Sequence, residues 1–300
     1  MRTLEGLLKE GVRILEAADI EEARLDAWLL LEYTSGKSRA YYYAHPEEET
    51  DRETEERYFA LCRKRAEHIP LQHLTHSANF MGYDFYVNGD VLVPRQDTEI
   101  LVEEALKILK PADSPRILDM CTGSGCILIS LLMEKPGAEG TGADVSAAAL
   151  AVAGKNAARL GAGDRAVFVE SDLFSGEFFQ QKSGTDGEKY DMLISNPPYI
   201  PTAEIRELMD EVRFHDPVLA LDGREDGLWF YRKITEAAPS FLKEGGWLLY
   251  EIGCSQGPQV EDILRNSGFI NVRTVKDLSG LDRVTLGQRS DRIMREEQNV

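Results

Sequence analysis

The chain has 300 residues, 43% hydrophobic and 29% charged, a balance that suits a soluble globular protein with one large core and room for a small second domain. Its 34 Lys and Arg face 52 Asp and Glu, a formal net charge of −18, which disfavours tight non-specific attachment to nucleic acid or anionic membrane because phosphate binding needs clustered cations. The opening MRTLEGLLKE lacks the apolar run of a signal peptide, and no stretch reaches membrane-spanning length. Cys62, Cys121, Cys126 and Cys254 form no CxxC pair and no metal-ligand spacing, so reduced thiols in a cytoplasmic, metal-free protein are expected.

Residues 1–76 read as a small helical N-terminal domain. Leu4, Leu7, Leu8, Val12 and Leu15 recur at helical spacing, and Ala27 to Leu31 supply a second apolar stripe. A third helix is expected from near Thr50 to Ala66. The acidic Glu47-Glu48-Glu49 is read at its positive end and Arg63-Lys64-Arg65 at its negative end. Within residues 77–96 the segment from Phe80 to Val93 alternates like strands, and Asn88-Gly89 lies between two apolar triplets. That pair predicts a β-hairpin turning at Asn88-Gly89, as a linker to the remaining residues 97–300. Thr98 then caps a helix running to about Leu109.

From Arg116 onward, strand and helix alternate. Strands are expected over 116–120, 140–144, 166–170, 191–195, 247–252, 269–276 and 283–287. Helices are expected over 127–133, 147–160 and 227–242, with a weaker one near Phe178. The pattern implies an α/β fold: a mostly parallel seven-stranded sheet with helices on both faces. The segment 277–282 is too short for a crossover helix, so the last strand must return antiparallel. This arrangement resembles the class I Rossmann-like methyltransferases.

The expected strand ends carry the chemistry. Cys121-Thr122-Gly123-Ser124-Gly125 follows the first strand and opens a helix; its glycines permit positive φ and close backbone approach to a ligand. A tight turn without a ligand would look the same, and the spacing overlaps nucleotide-binding loops. Asp144 ends the second strand, where a carboxylate accepts from ribose hydroxyls or, alternatively, caps the next helix; Ser146 is equally suited to that cap. Asp172 and Leu173 follow the third strand, placed to meet an adenine amino group and ring, although Asp172 alone reads equally well as a surface cap.

The fourth strand delivers Asn196-Pro197-Pro198-Tyr199. Two prolines fix an extended backbone and remove two N–H donors, leaving carbonyls as acceptors. The Asn196 side-chain oxygen and the Pro197 carbonyl can then take both protons of one NH2 group, with Tyr199 as an aromatic wall. The lone pair of an amide or exocyclic amine nitrogen is delocalised. It needs to be held in line with a sulfonium methyl and helped to carry positive charge. The tetrapeptide therefore points to methyl transfer from S-adenosyl-L-methionine onto a planar NH2 group.

Over essentially its whole length the chain resembles the bacterial peptide chain release factor N5-glutamine methyltransferases, the PrmC/HemK family. Val93-Pro94-Arg95-Gln96-Asp97-Thr98-Glu99 together with the Asn-Pro-Pro-Tyr segment is its most restrictive signature. The resemblance implies methylation of the glutamine amide in the Gly-Gly-Gln motif of class 1 release factors. Asn196 and Pro197 would grip the amide, Pro198 brace the turn and Tyr199 line the pocket. Cys121, Thr122, Gly123, Ser124 and Gly125 would hold the methionine part of the cofactor, Asp144 the ribose, and Asp172 with Leu173 the adenine, while Asn196 would also touch the cofactor. The helical domain would help dock the release factor, with no direct nucleic-acid or membrane binding.

The chain departs from the family pattern at a few positions. Cys121 stands where glycine is common, and a positive φ there would be strained. Gln96 replaces a frequent proline, Arg224 a frequent glycine, and His76-Ser77 a frequent Leu-Gly. Arg95 fits either closure over the site or an ion pair with Asp97 or Glu99. Three rivals are weaker. A DNA adenine methyltransferase would need to flip a base and hold phosphates, against the net charge and the lack of a second basic domain. Methylation of a ribosomal-protein glutamine is disfavoured by Asp97-Thr98-Glu99. A non-catalytic regulator has no evident need for the intact tetrapeptide.

Overall fold

The first apolar stripe forms α1 (Leu4–Glu16), which buries Leu4, Leu7 and Leu15 and is capped by Thr3, whose hydroxyl accepts from the Gly6 N–H. α2 (Ala23–Ser35), α3 (Arg39–Ala44), α4 (Arg52–Ala66) and α5 (Leu71–Thr75) follow. At Gly11 a Cβ would run into the Tyr58 hydroxyl, so glycine there lets α1 and α4 approach. The reading of the acidic run is corrected. Asp51 caps α4 by accepting from the Thr54 N–H at 2.8 Å, and Glu53 and Glu55 occupy its first turn. Glu48 instead accepts from the Tyr41 hydroxyl, and Glu49 pairs with Thr3.

The computed structural model describes residues 2–182 and 189–290. It divides them into two units. One holds the residues up to Ser77 together with Met209–His215; the other holds Ala78–Leu208 and the residues from Asp216 onward. In the first unit Arg65 lies between Asp26, at 2.7 Å, and Glu211, at 2.8 Å.

The second unit opens with a hairpin, but not the expected one. β1 (Ala78–Phe80) pairs with β2 (Tyr83–Phe85) around Met81-Gly82, whose φ values of 52° and 78° both lie in the left-handed region that tight hairpin turns require. Asn88-Gly89 makes a local turn without strands on either side. The Asn156 side chain takes the backbone bonds a partner strand would have used: its Oδ1 accepts from the Tyr86 N–H at 2.7 Å, and its Nδ2 donates to the Tyr86 carbonyl at 3.0 Å. Val87, Val91 and Val93 pack instead against Ala78, Ala149 and Val152.

A single 3-10 turn over Gln96–Thr98 leads into α6 (Glu99–Leu109). Thr98 makes no side-chain cap bond, so its expected capping role is corrected: its backbone is already helical, and its Oγ1 stands 3.5 Å from Asn196 Nδ2. Then come β3 (Arg116–Met120), α7 (Cys126–Glu134), β4 (Glu139–Asp144), α8 (Ala147–Leu160), β5 (Ala166–Glu170), α9 (Glu177–Lys182) and β6 (Tyr190–Ser195). After them follow α10 (Asp210–His215), α11 (Val218–Leu221), α12 (Trp229–Phe241), β7 (Leu242–Glu251), α13 (Gly257–Asn266), β8 (Phe269–Lys276) and β9 (Asp282–Arg289).

The main sheet runs β5-β4-β3-β6-β7-β9-β8. β9 is antiparallel to both neighbours, as the short β8–β9 connection requires, and the pairs from β5 through β7 are parallel. Alternate residues point to opposite faces. Ile117, Met192 and Leu249 join α6 and α7 on one side; Leu118, Leu193 and Leu248 join α12 and α13 on the other. Burial on both faces explains the nearly unbroken apolar runs of β3 and β6. Among the described residues, no helix is long and apolar enough to cross a membrane.

Candidate active site

The strand order reverses between β3 and β6, and in such sheets the crevice at the carboxyl ends of the strands beside that switch is the place for a ligand. A cavity of about 400 Å³ lies there. Its lining brings together Cys121, Thr122, Gly123 and Ser124 after β3, Asp144 at the end of β4, Asp172 and Leu173 after β5, and Asn196 and Pro198 after β6. Of the residues singled out from sequence, Gly125, Pro197 and Tyr199 are not in the lining.

The loop after β3 is held by its own polar groups. The Thr122 hydroxyl donates to Asp119 at 2.6 Å, the Gly125 N–H to the Thr122 carbonyl at 2.8 Å, and Asn156 Nδ2 to the Ser124 carbonyl at 2.9 Å. Asp119 is fully buried, which pushes its carboxyl up to about 7 against the Thr122 bond. Gly125, at φ 78°, opens α7, and a Cβ on it would sit 2.8 Å from Ile129 and 3.1 Å from Ala153. Cys121 has φ 61° and Leu173 φ 50°. The strained alternative for Cys121 is therefore the one adopted, and both residues line the cavity, where unfavourable backbone geometry commonly gathers.

Asp144 accepts from the Gly123 N–H through Oδ2 and from the Ser146 N–H through Oδ1, each at 2.9 Å. Ser146, not Asp144, caps α8, accepting from the Ala149 N–H at 3.2 Å. Burial raises the pKa of Asp144. At the next strand end, Asp172 is exposed and Leu173 half-buried.

The Asn-Pro-Pro-Tyr turn is braced from several sides. The Ser195 hydroxyl donates to the Met120 carbonyl at 2.6 Å, tying β6 to β3. Gln256 Nε2 donates to the Tyr199 carbonyl at 3.0 Å, while its Oε1 accepts from the Gly253 N–H at 2.9 Å. A Cβ on Gly223 would lie 2.7 Å from the Tyr199 backbone, so the chain passes as close as glycine allows. Tyr199 itself is half-buried and packs on the core of one sheet face. Among the described residues, no hydrogen bond ends on the Pro197 carbonyl.

Sequence reasoning missed several residues around this turn. Glu251 closes β7 and is 3% exposed; burial pushes its carboxyl up to about 7, with Thr98 and then Arg283 favouring the charged form. Arg283 pairs with Asp97 at 3.1 Å and Asp277 at 3.0 Å. Arg95 lines the cavity and pairs with Asp216 at 3.0 Å, not with Asp97 or Glu99; Glu99 accepts from the Met81 N–H at 2.7 Å. Among the advance signals for this cluster was the Val-Pro-Arg-x-Asp-Thr-Glu segment, whose Thr98 read as a cap.

A glycine-bearing loop after β3, a carboxylate ending β4 and an amide ending β6, at the switch point of a sheet with one antiparallel strand, define a class I Rossmann-like methyltransferase. Residues 6–75 match the PrmC N-terminal domain family and residues 96–214 the methyltransferase small domain family. The release factor glutamine methyltransferase of Clostridium acetobutylicum is 37% identical over 289 residues, covering 96% of this chain and 99% of the relative. That of Chlorobaculum tepidum is 41% identical over 282 residues, covering 92% and 94%. The hMettl16 catalytic domain, solved in complex with MAT2A 3'UTR hairpin 6, superposes with a TM-score of 0.55 at 17% identity over 70% of this chain and 77% of that one, a likeness of fold. The chain belongs to the release factor glutamine methyltransferase family.

Proposed function

We propose that this chain transfers a methyl group from S-adenosyl-L-methionine to the side-chain amide nitrogen of the glutamine in the Gly-Gly-Gln motif of class 1 peptide chain release factors. What carries the reading is Asn196, set beside Pro198 on the wall of the cavity at the end of β6, in a chain of this family. The cofactor supplies an electrophilic sulfonium methyl group when bound. The residues suit it: Asp90, Asp144, Asp172 and Asp222 line the cavity against Arg95 and Arg224, a lining that favours a cationic ligand and repels phosphate.

In this reading Cys121, Thr122, Gly123, Ser124 and Gly125 hold the methionine part. Asp144 holds the ribose, its carboxylate oxygens keeping lone pairs beyond those given to Gly123 and Ser146. Asp172 and Leu173 hold the adenine. Asn196 Oδ1 and the Pro197 carbonyl accept the two amide protons of the glutamine, orient its nitrogen and stabilise the positive charge that develops there. Pro198 keeps the turn extended, and Tyr199 fixes it through its carbonyl bond to Gln256. The helical residues 1–76 dock the release factor, 77–96 link, and 97–300 catalyse, in the cytoplasm and without direct contact to nucleic acid or membrane.

The test is label transfer from S-adenosyl-L-methionine to a release factor, to its Gln→Ala variant in the Gly-Gly-Gln motif, and to duplex DNA. Label is expected on the intact release factor alone; equal label on the Gln→Ala variant, or label on DNA only, refutes the proposal. For the cofactor, Asp144→Ala is expected to weaken binding by about 10–100-fold, the loss of hydrogen bonds to a charged acceptor. Calorimetric titration reads this directly, and an unchanged affinity removes Asp144 from the ribose site.

A further inference from the structure

Gripping an amide NH2 requires Asn196 to present the correct end of its own amide. Oδ1 accepts and Nδ2 donates, and the two are nearly equal in size. What fixes the choice stands behind the residue. Thr98 Oγ1 lies 3.5 Å from Asn196 Nδ2. Thr98 and Asn196 both face the carboxylate of Glu251, each favouring its charged form. Among the described residues Glu251 Oε2 is buried with no hydrogen-bond partner, and Glu251 is not in the cavity lining, so any effect it has on the substrate passes through its neighbours.

We propose that Glu251, acting with Thr98, is a positioning residue that keeps the NH2 end of Asn196 turned inward and so presents Oδ1 to the substrate nitrogen. The inference rests on the reading of Asn196 as the amide acceptor. An ionised carboxylate only accepts, and a Thr98 hydroxyl whose proton points at Glu251 offers Asn196 only lone pairs. Both groups then attract Nδ2, and a turned amide would set Oδ1 against a buried negative charge. A protonated Glu251 donates instead and removes that preference. Arg283 favours its charged form and Asp97 opposes it, and Tyr199, Tyr231 and Cys126 also face it.

The experiment uses the full chain. The side-chain amide resonance of Asn196 is followed by NMR against pH without any release factor, where a shift with a midpoint near 7 is expected, lost in Glu251→Gln. That reading is independent of the substrate assignment, so failure of the release-factor proposal leaves it standing. In turnover, Glu251→Gln is expected to lower kcat roughly ten-fold while cofactor affinity holds, and to remove the fall in activity below about pH 7. Thr98→Val follows the same pattern and Thr98→Ser restores activity. In an Asn196→Ala background neither Glu251→Gln nor Thr98→Val has a further effect, because both act through the missing amide. Should Glu251→Gln fold poorly, Thr98→Val carries the same comparison. An equal loss in both backgrounds, or an Asn196 resonance indifferent to pH, overturns the proposal.

Discussion

Replacing Asn196 with alanine is expected to lower turnover by about 10²–10³-fold while S-adenosyl-L-methionine binds within roughly three-fold of its original affinity. The magnitude follows from removing one preorganised group aimed at charge that develops only during reaction. The separation of the two effects follows from position. Asn196 ends β6, whereas the loop and carboxylates assigned to the cofactor end β3, β4 and β5. Ser195 stays bonded to the Met120 carbonyl and Gln256 to the Tyr199 carbonyl, so the turn keeps its shape when the amide is removed. Steady-state rates on a release factor and calorimetric titration of the cofactor measure the two quantities separately. A parallel loss in both would make Asn196 a cofactor ligand and leave the substrate amide without its principal acceptor.

The elements that could be read from sequence are those whose cause is local. The strands of the sheet are short apolar runs, and the positions where they stop carry Cys121, Asp144, Asp172 and Asn196; one dimension of pattern sufficed to bring these to one sheet edge. α13 escaped because Gly257-Pro258 resembles a turn, whereas here the proline occupies the first turn of a helix that buries Val260 and Leu264. The hairpin was misplaced for the opposite reason. Asn88-Gly89 has strong turn chemistry, but a side chain 70 residues away satisfies the backbone of Tyr86 and leaves nothing for a second strand. Met81-Gly82, with weak turn chemistry, is the pair that closes the ladder.

The same division separates the parts of the site. Asn196 was legible as a candidate because Pro197, Pro198 and Tyr199 follow it directly in the chain, and it does line the cavity. Glu251, Thr98 and Arg283 were not, because a buried carboxylate near a guanidinium is a product of β7 and β9 lying side by side. Cys121 falls between the two cases. Its replacement of glycine was visible, and the strain was stated as a condition on φ, but only the backbone shows that φ is 61°. A left-handed non-glycine residue costs roughly 1–2 kcal/mol, which the hydrogen bonds and packing around the loop must offset.

In the helical unit, Arg65→Ala is expected to cost about 3–5 kcal/mol of stability at neutral pH, the range for stripping one partner from a buried ion pair. Arg65 is 9% exposed, and its guanidinium bonds Asp26, Glu211 and the Ile69 carbonyl. Removing it leaves the Asp26 carboxylate, 8% exposed, without its cation. Burial outweighs Arg65 even in the intact protein, so the folded pKa of Asp26 is raised. A raised carboxylate contributes stability below its unfolded pKa, about 3.9, and that contribution is lost as pH rises through the folded value. Ionised Asp26 is therefore a burden that Arg65 lightens, and the cost of Arg65→Ala should shrink as pH falls toward about 4, where the carboxylate takes up its proton in both proteins. Asp26→Asn, which removes the buried charge and keeps the shape, should cost much less than Arg65→Ala. Native-state hydrogen exchange of the α1, α2 and α4 amides reports on this unit without requiring the whole chain to unfold in one step. A cost below about 1 kcal/mol at pH 7, or one indifferent to pH, would mean that packing of Leu4, Leu7, Leu31 and Tyr58 holds the unit and the ion cluster adds nothing.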